Sequence, residues 1–92
     1  MPALSAAEIT SHLTTVPAWQ VEKGELVRTF QFADFLASMR FVNQVADLAE
    51  QAGHHPDIDI RYNRVRLALV THDAGGLTAK DFDLAARADK LA

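Results

Sequence analysis

The longest regular pattern in the sequence is an amphipathic stretch at residues 34–52. Apolar side chains recur there at steps of three and four residues, which predicts a helix with one apolar stripe. The members of this stripe are Phe35, Met39, Val42, Val45 or Ala46, and Ala49. Gly53 follows directly and predicts a left-handed cap that ends the helix. Because such a helix has to bury its apolar face, the flanking segments must form a packing surface.

Two strands are predicted before this helix, at residues 19–22 and 25–32. Lys23 and Gly24 lie between them and suit a tight turn, because glycine tolerates positive φ. We therefore expect the two strands to pair as a hairpin.

Two more strands are predicted after the helix. Ile58, Ile60 and Tyr62 alternate with charged residues, which predicts a half-buried strand. A turn at residues 63–64 follows. Residues 65–70 are apolar on much of both faces, so we expect this strand to be central in a sheet or covered by a neighbour.

Helix-capping signals lie near both ends of the chain. Ser5 and Glu8 have the spacing of a capping box, which predicts a short helix at residues 5–13. Thr78 caps a last predicted helix, with Asp81 at its third position. The resulting order α-β-β-α-β-β-α predicts an α+β fold, with three helices on one face of a four-stranded antiparallel sheet. We expect residues 1–92 to form a single domain.

Composition excludes several classes of protein. The formal net charge of −3 argues against nucleic-acid binding, which normally requires a basic face. The sequence contains no cysteine, which excludes disulfides, thiolate zinc sites and cysteine nucleophiles. No export signal and no apolar run of membrane-spanning length is present, so we expect a soluble, cytoplasmic protein that does not bind membranes.

Three of the four histidines lie where the chain leaves regular structure. His54 and His55 follow the main helix, and His72 follows the last strand before a glycine-containing loop. Asp81 lies in the first turn of the last helix, where backbone N–H groups are free for polar ligand atoms. Imidazole titrates near neutrality, and a nearby carboxylate would orient it. This set predicts a site for general acid–base chemistry.

Each of these residues also has a structural interpretation. Adjacent histidines in a loop are often polar surface, His72 could be structural at a strand end, and Asp81 could balance the helix dipole beside Thr78. Trp19 and Tyr62 could stack on a flat heterocycle, but their strand positions favour a place in the core.

A metal site is the less favoured alternative. Three histidines and an aspartate could bind zinc or iron. His54 and His55 are adjacent, however, and adjacent side chains tend to diverge, so we expect chemistry without a metal. His12, near the end of the first helix, is expected to have no functional role.

Residues at fixed spacing form one signature: His54-His55-Pro56, Tyr62, His72 and Asp81. This signature resembles that of the pterin-4a-carbinolamine dehydratase family, and the similarity covers roughly residues 18–89. The resemblance implies the α+β fold described above. It also implies dehydration of 4a-hydroxytetrahydrobiopterin to the quinonoid dihydropterin, which recycles the cofactor of aromatic amino acid hydroxylases. Members of the family need no metal or bound cofactor.

The resemblance also implies roles for individual residues. His54, His55 and His72 would be the catalytic histidines. Asp81 would support them, with Glu50 and Pro56 at the margin of the substrate site. The sequence departs from the family pattern near this site: Ile58 and Asp59 replace an aromatic pair of animal members, and Lys80 replaces an arginine.

Two other functions stay open alongside the dehydratase. One is a non-enzymatic dimerisation cofactor or regulatory module on the same fold, and the other is a small metal-dependent hydrolase. The intact histidines and Asp81 favour the enzyme, because an interaction protein does not need them. We expect a homodimer or homotetramer, since the predicted core is small for a monomer.

Overall fold

A computed structural model describes residues 2–92 and contains three α-helices and a four-stranded antiparallel sheet. The elements are α1 (Ala6–Leu13), β1 (Gln20–Glu22), β2 (Glu25–Gln31), α2 (Phe35–Ala52), β3 (Asp57–Arg61), β4 (Arg64–Leu69) and α3 (Ala79–Leu91). This order confirms the predicted α-β-β-α-β-β-α fold. A short 3₁₀ turn at His72–Ala74 was not predicted. In residues 2–92, no helix is both long and apolar enough to span a membrane.

The sheet has the strand order β1-β2-β4-β3, so β4 is central, as its apolar sequence predicts. Leu26 of β2 pairs with Leu69 of β4, and Phe30 pairs with Val65. These four side chains are at most 2% exposed and belong to the hydrophobic core. Alternate residues of the two central strands therefore form the surface on which the core is built.

Strand β3 is more exposed than the half-buried strand that the sequence predicts. Ile58 is 36% exposed, and only Ile60 is partly buried among its residues. Tyr62 lies outside the strand, has a φ of 50° and is 66% exposed, so its predicted place in the core is wrong. The reason is that β3 lies at the edge of the sheet, where fewer neighbours cover it. The turn lies at Tyr62-Asn63, one residue before the predicted position, and the Asn63 side chain donates to the Phe32 carbonyl at 3.1 Å.

The buried face of α2 differs in part from the predicted stripe. Val42, Val45 and Ala49 are buried as predicted, but Phe35 is 51% exposed. Two more residues of the predicted stripe are less buried than expected, since Met39 is only partly buried and Ala46 is exposed. Ser38 and Phe41, which are not in the predicted stripe, are buried. Phe41 packs against Phe30, with 4.6 Å between the ring centroids, so the buried face of α2 includes Phe41 and not Phe35.

Both predicted capping boxes are present. At α1, Ser5 N–H donates to Glu8 Oε1 at 2.8 Å, and Glu8 N–H donates to Ser5 Oγ at 3.2 Å. Hydrogen bonding to Ser5 lowers the pKa of Glu8. The bond from the Ser5 backbone has the larger effect, and the bond with the Ser5 side chain has the smaller one. At α3, Thr78 and Asp81 form the same arrangement.

Trp19 is buried, as predicted, and it connects the sheet to α3. Its Nε1–H donates to Asp89 Oδ1 at 2.8 Å, and Arg28 Nη1 donates to the same oxygen at 2.6 Å. The Arg28 guanidinium also lies 4.1 Å from the centroid of the Phe30 ring. These contacts fix the C-terminal half of α3 against β2 and against Trp19, the residue directly before β1.

Gly53 ends α2 with the left-handed conformation that the sequence predicts, at φ 61°. Its N–H donates to the Glu50 carbonyl at 3.2 Å, and the N–H of His54 donates to the Ala49 carbonyl at 3.1 Å. This pair of bonds is a Schellman motif. The motif sets the direction in which the chain leaves the helix, and therefore the position of the His54 backbone.

Replacing Gly53 with alanine should lower the free energy of unfolding by about 1 kcal/mol, because a Cβ is unfavourable at this φ. No atom of residues 2–92 lies within 4 Å of the added Cβ, so steric contact within this part of the chain should add nothing. Gly53→Asn is the matched control and should lose less, since asparagine tolerates this conformation. Urea unfolding followed by the fluorescence of Trp19, the single tryptophan, measures both. Equal stability of all three proteins would contradict the argument.

Candidate active site

The end of α2 and the start of α3 bring a histidine against a buried carboxylate. His54 Nε2 lies 2.6 Å from Asp81 Oδ1, although the two residues are 27 positions apart in sequence. The Asp81 side chain is 0% exposed and the His54 side chain 13%. A buried carboxylate has to be satisfied by donors, so this contact fixes the orientation of the imidazole.

The other oxygen of Asp81 has two donors. Thr71 Oγ1 donates to Oδ2 at 2.8 Å, and the backbone N–H of Thr78 donates to it at 2.9 Å. The two threonine hydroxyl oxygens lie 2.8 Å apart. Together with the N-terminal end of α3, these donors offset the cost of burying a charge. Asp81 therefore caps its helix and holds His54 at the same time.

Thr71 was not among the residues predicted from the sequence. The one signal available was its position directly before His72. Its contact with Asp81 depends on the loop between β4 and α3, where Thr71 forms a β-bridge with Gly76. That closure turns the Thr71 hydroxyl toward the first turn of α3, and local sequence patterns do not encode it.

A second histidine–carboxylate pair lies at the surface. His55 Nε2 is hydrogen-bonded to Glu50 Oε2, and their side chains are 63% and 77% exposed. Glu50 lies in the last turn of α2, five residues before His55. Water competes for this contact, so it restrains His55 less than Asp81 restrains His54.

The three predicted histidines border one open depression of about 290 Å³. Its lining consists of Gly53, His54, His55, Val70, Thr71, His72, Asp73 and Lys80. His72 is the first residue of the 3₁₀ turn and is exposed. Pro56 is partly buried and does not line the depression. The structure thus brings His54, His55 and His72 to one surface, with Asp81 beneath it and Glu50 beside it.

This arrangement can transfer protons between imidazoles and a bound molecule. Imidazole serves as acid or base near neutral pH, and the depression is open to a ligand. Within residues 2–92, no group of three or more histidine, cysteine, aspartate or glutamate side chains is arranged to hold a metal ion. Nε2 of His54 and Nε2 of His55 are each already engaged by a carboxylate.

The family model and two curated relatives point to the same protein family. The model of the family described as pterin 4 alpha carbinolamine dehydratase matches residues 2–91. A protein of Chloroflexus aurantiacus is 65% identical over 91 residues, covering 99% of this chain and 98% of that protein. A protein of Acidobacterium capsulatum is 60% identical over 91 residues, covering 99% of each. Both carry a provisional name as a pterin-4-alpha-carbinolamine dehydratase.

Two solved structures share the fold. A transcriptional coactivator/pterin dehydratase from Brucella melitensis has a TM-score of 0.94 and 33% identity, with 98% of each chain covered. A pterin dehydratase-like protein, identified as a RuBisCO assembly factor in the alpha-carboxysome, has a TM-score of 0.66 and 27% identity. It covers 79% of this chain and 84% of that one.

The sequence resemblance is therefore confirmed over nearly the whole chain, and the fold is confirmed by the Brucella melitensis structure. On the family match and on relatives that are 60% and 65% identical, the chain belongs to the pterin 4 alpha carbinolamine dehydratase family.

Proposed function

We propose that this chain dehydrates 4a-hydroxytetrahydrobiopterin to the quinonoid dihydropterin and so recycles the cofactor of aromatic amino acid hydroxylases. The observation that carries the proposal is the completely buried Asp81 against His54, at the border of a depression that three histidines share. A buried carboxylate is stable only among hydrogen-bond donors, and here one of those donors is an imidazole at the border of the depression. The contact therefore orients His54 beside the position proposed for a bound ring.

The reaction needs one proton donor and one proton acceptor. The bond between C4a and its hydroxyl oxygen breaks, and the oxygen leaves as water after it takes a proton. N5 loses its proton, and a double bond forms between C4a and N5. Two protonation changes on one substrate match a site with several imidazoles, and each transfer contributes roughly 10²–10⁴-fold.

The proposed roles follow the surroundings of each residue. His54, His55 and His72 exchange protons with the substrate. Asp81 orients His54, and Glu50 orients His55. Pro56 restricts the backbone of the residue before it and so limits the positions of His55.

A regulatory or assembly role without catalysis is the second candidate. The names of the two solved relatives support this second candidate. One is named both coactivator and dehydratase, and the other is named as an assembly factor. Three histidines at one open depression serve proton transfer and are not needed for binding alone, so the dehydratase is the better account of this chain.

Removing either His54 or His72 should slow dehydration by about 10²-fold or more, since each loss removes a proton-transferring group. Stopped-flow decay of freshly generated 4a-hydroxytetrahydropterin measures the rate for wild type, His54→Ala and His72→Ala. His12→Phe is the matched control: it removes an imidazole but keeps a ring against Phe82, where the two rings stack at 4.9 Å. This control should retain the wild-type rate.

The same measurement separates the two candidate functions. Saturable acceleration by the wild type, lost in both histidine variants with their fold intact, supports the dehydratase. A wild type that does not accelerate the decay would refute it and leave the binding role as the better proposal.

Removal of metal ions should leave the dehydratase rate unchanged. The proposed steps are proton transfers alone, and residues 2–92 contain no group of three or more histidine, cysteine, aspartate or glutamate side chains that could hold a metal ion. Rates before and after dialysis against a chelator, together with the metal content of the purified protein, test this. One equivalent of zinc or iron per chain, lost in His72→Ala, would instead support the metal-dependent hydrolase.

We also propose that the chain acts as one domain and assembles into a homodimer or homotetramer. Strand β3 is an edge strand, and Ile58, Phe35 and Leu36 expose apolar side chains. Light scattering at micromolar concentration should give a multiple of the 10.1 kDa chain mass. The mass of a single chain would contradict the proposal.

A further inference from the structure

The hydrogen-bond network around Asp81 contains a hydroxyl that the proposed mechanism does not use. Thr71 Oγ1 lies 2.8 Å from Asp81 Oδ2 and 2.8 Å from Thr78 Oγ1. A hydroxyl carries one proton, so a Thr71 that donates to the carboxylate has to accept from Thr78. The Thr78 side chain is 0% exposed, which makes this the one direction that satisfies both threonines. The hydroxyl protons therefore point toward Asp81.

The contacts of Asp81 are those of an ionised carboxylate. Oδ2 accepts from the backbone N–H of Thr78, a group that can only donate, and from the Thr71 hydroxyl. Both contacts reach Asp81 in the first turn of α3, where the helix dipole also favours negative charge. Hydrogen bonds to the charged form of an acid stabilise that form. Oδ1 is then left as an acceptor for His54.

The state of His54 follows from that of Asp81. If Oδ1 accepts, Nε2 has to carry the proton that lies between them. Nδ1 has no hydrogen-bond partner among residues 2–92. In the same part of the chain, no buried side-chain nitrogen or oxygen lacks a partner, so Nδ1 must reach solvent. His54 contributes to the depression that His55 and His72 also line.

We infer that Thr71 is a positioning residue for proton transfer. Its hydroxyl keeps Asp81 as an accepting carboxylate, which holds the proton on Nε2 of His54. Nδ1 is then the nitrogen that exchanges a proton with the substrate. The catalytic part of this inference rests on the proposed dehydratase function, whereas the position of the proton on His54 does not.

The test combines nitrogen-15 NMR of the histidine rings with dehydration kinetics. Thr71→Val keeps the shape of the side chain without the hydroxyl, and Thr71→Ser keeps the hydroxyl. In the wild type, Nε2 of His54 should show the shift of a protonated ring nitrogen. The spectrum of His54→Gln assigns the signals.

In Thr71→Val, Asp81 loses one of its donors, so the negative charge on its carboxylate is less stabilised. Nε2 of His54 should then lose part of its protonated character to Oδ1. The value of kcat should fall by roughly 10- to 100-fold with KM little changed, the range for one hydrogen bond to a charged group. Thr71→Ser should restore both readouts. Thr29→Val, at an exposed position of β2, is the matched control and should change neither.

Two results would overturn the inference: a wild-type His54 that carries its proton on Nδ1, or a Thr71→Val protein whose Nε2 shift equals that of the wild type. The wild-type spectrum alone decides the first, so the test does not depend on whether the valine variant folds. A wild type without dehydratase activity would refute the proposed function, while the nitrogen shifts would still decide where the proton lies.

Discussion

A carboxylate without solvent contact governs the geometry of this protein. Charge is costly to bury, and Asp81 remains stable only where donors surround it. Those donors come from three places: the chain after α2, the loop after β4 and the first turn of α3. A shift of any of the three would remove one of the donors that stabilise this buried charge. The network therefore fixes their relative positions, and the depression with its histidines lies directly above it.

The rest of the scaffold supports this arrangement from the other end of α3. Asp89 accepts hydrogen bonds from Trp19 and Arg28, which ties the C-terminal half of the helix to the sheet. Two aspartates thus anchor α3, one at each end, and the buried face of the helix packs between them. A helix held at both ends cannot slide along its axis without breaking one of these networks. The first turn of α3 is consequently a rigid base for the site.

The ends of the helices could be predicted from the sequence because the residues that cap them bond to backbone groups nearby. Ser5, Thr78 and Gly53 each act on backbone groups within a few residues, so their helix ends were readable. Exposure was less predictable: Phe35 and Tyr62 are apolar, but the packing of Phe41 and the edge position of β3 leave them in solvent. These outcomes depend on which elements become neighbours, which the alternation of residues does not specify.

The candidate site shows the same division. The positions of His54, His72 and Asp81 at the ends of elements could be predicted, and the family resemblance supplied a reason to consider them together. The contact between His54 and Asp81 could not be derived, because it depends on how α2 and α3 pack. Thr71 was missed for a related reason, since its place beside Asp81 follows from the closure of a loop with Gly76.

The two histidine–carboxylate pairs differ in their exposure, and this difference has an electrostatic consequence. Dissolved ions screen charges that water surrounds, with a Debye length of about 8 Å at physiological ionic strength, but they screen buried charges far less. The His55–Glu50 pair should therefore weaken as salt is added, whereas the His54–Asp81 pair should hardly respond. His54 and His55 are adjacent, yet the contact of His55 with Glu50 depends on the ionic strength of the solution, whereas the contact of His54 with Asp81 depends on the packing of the protein.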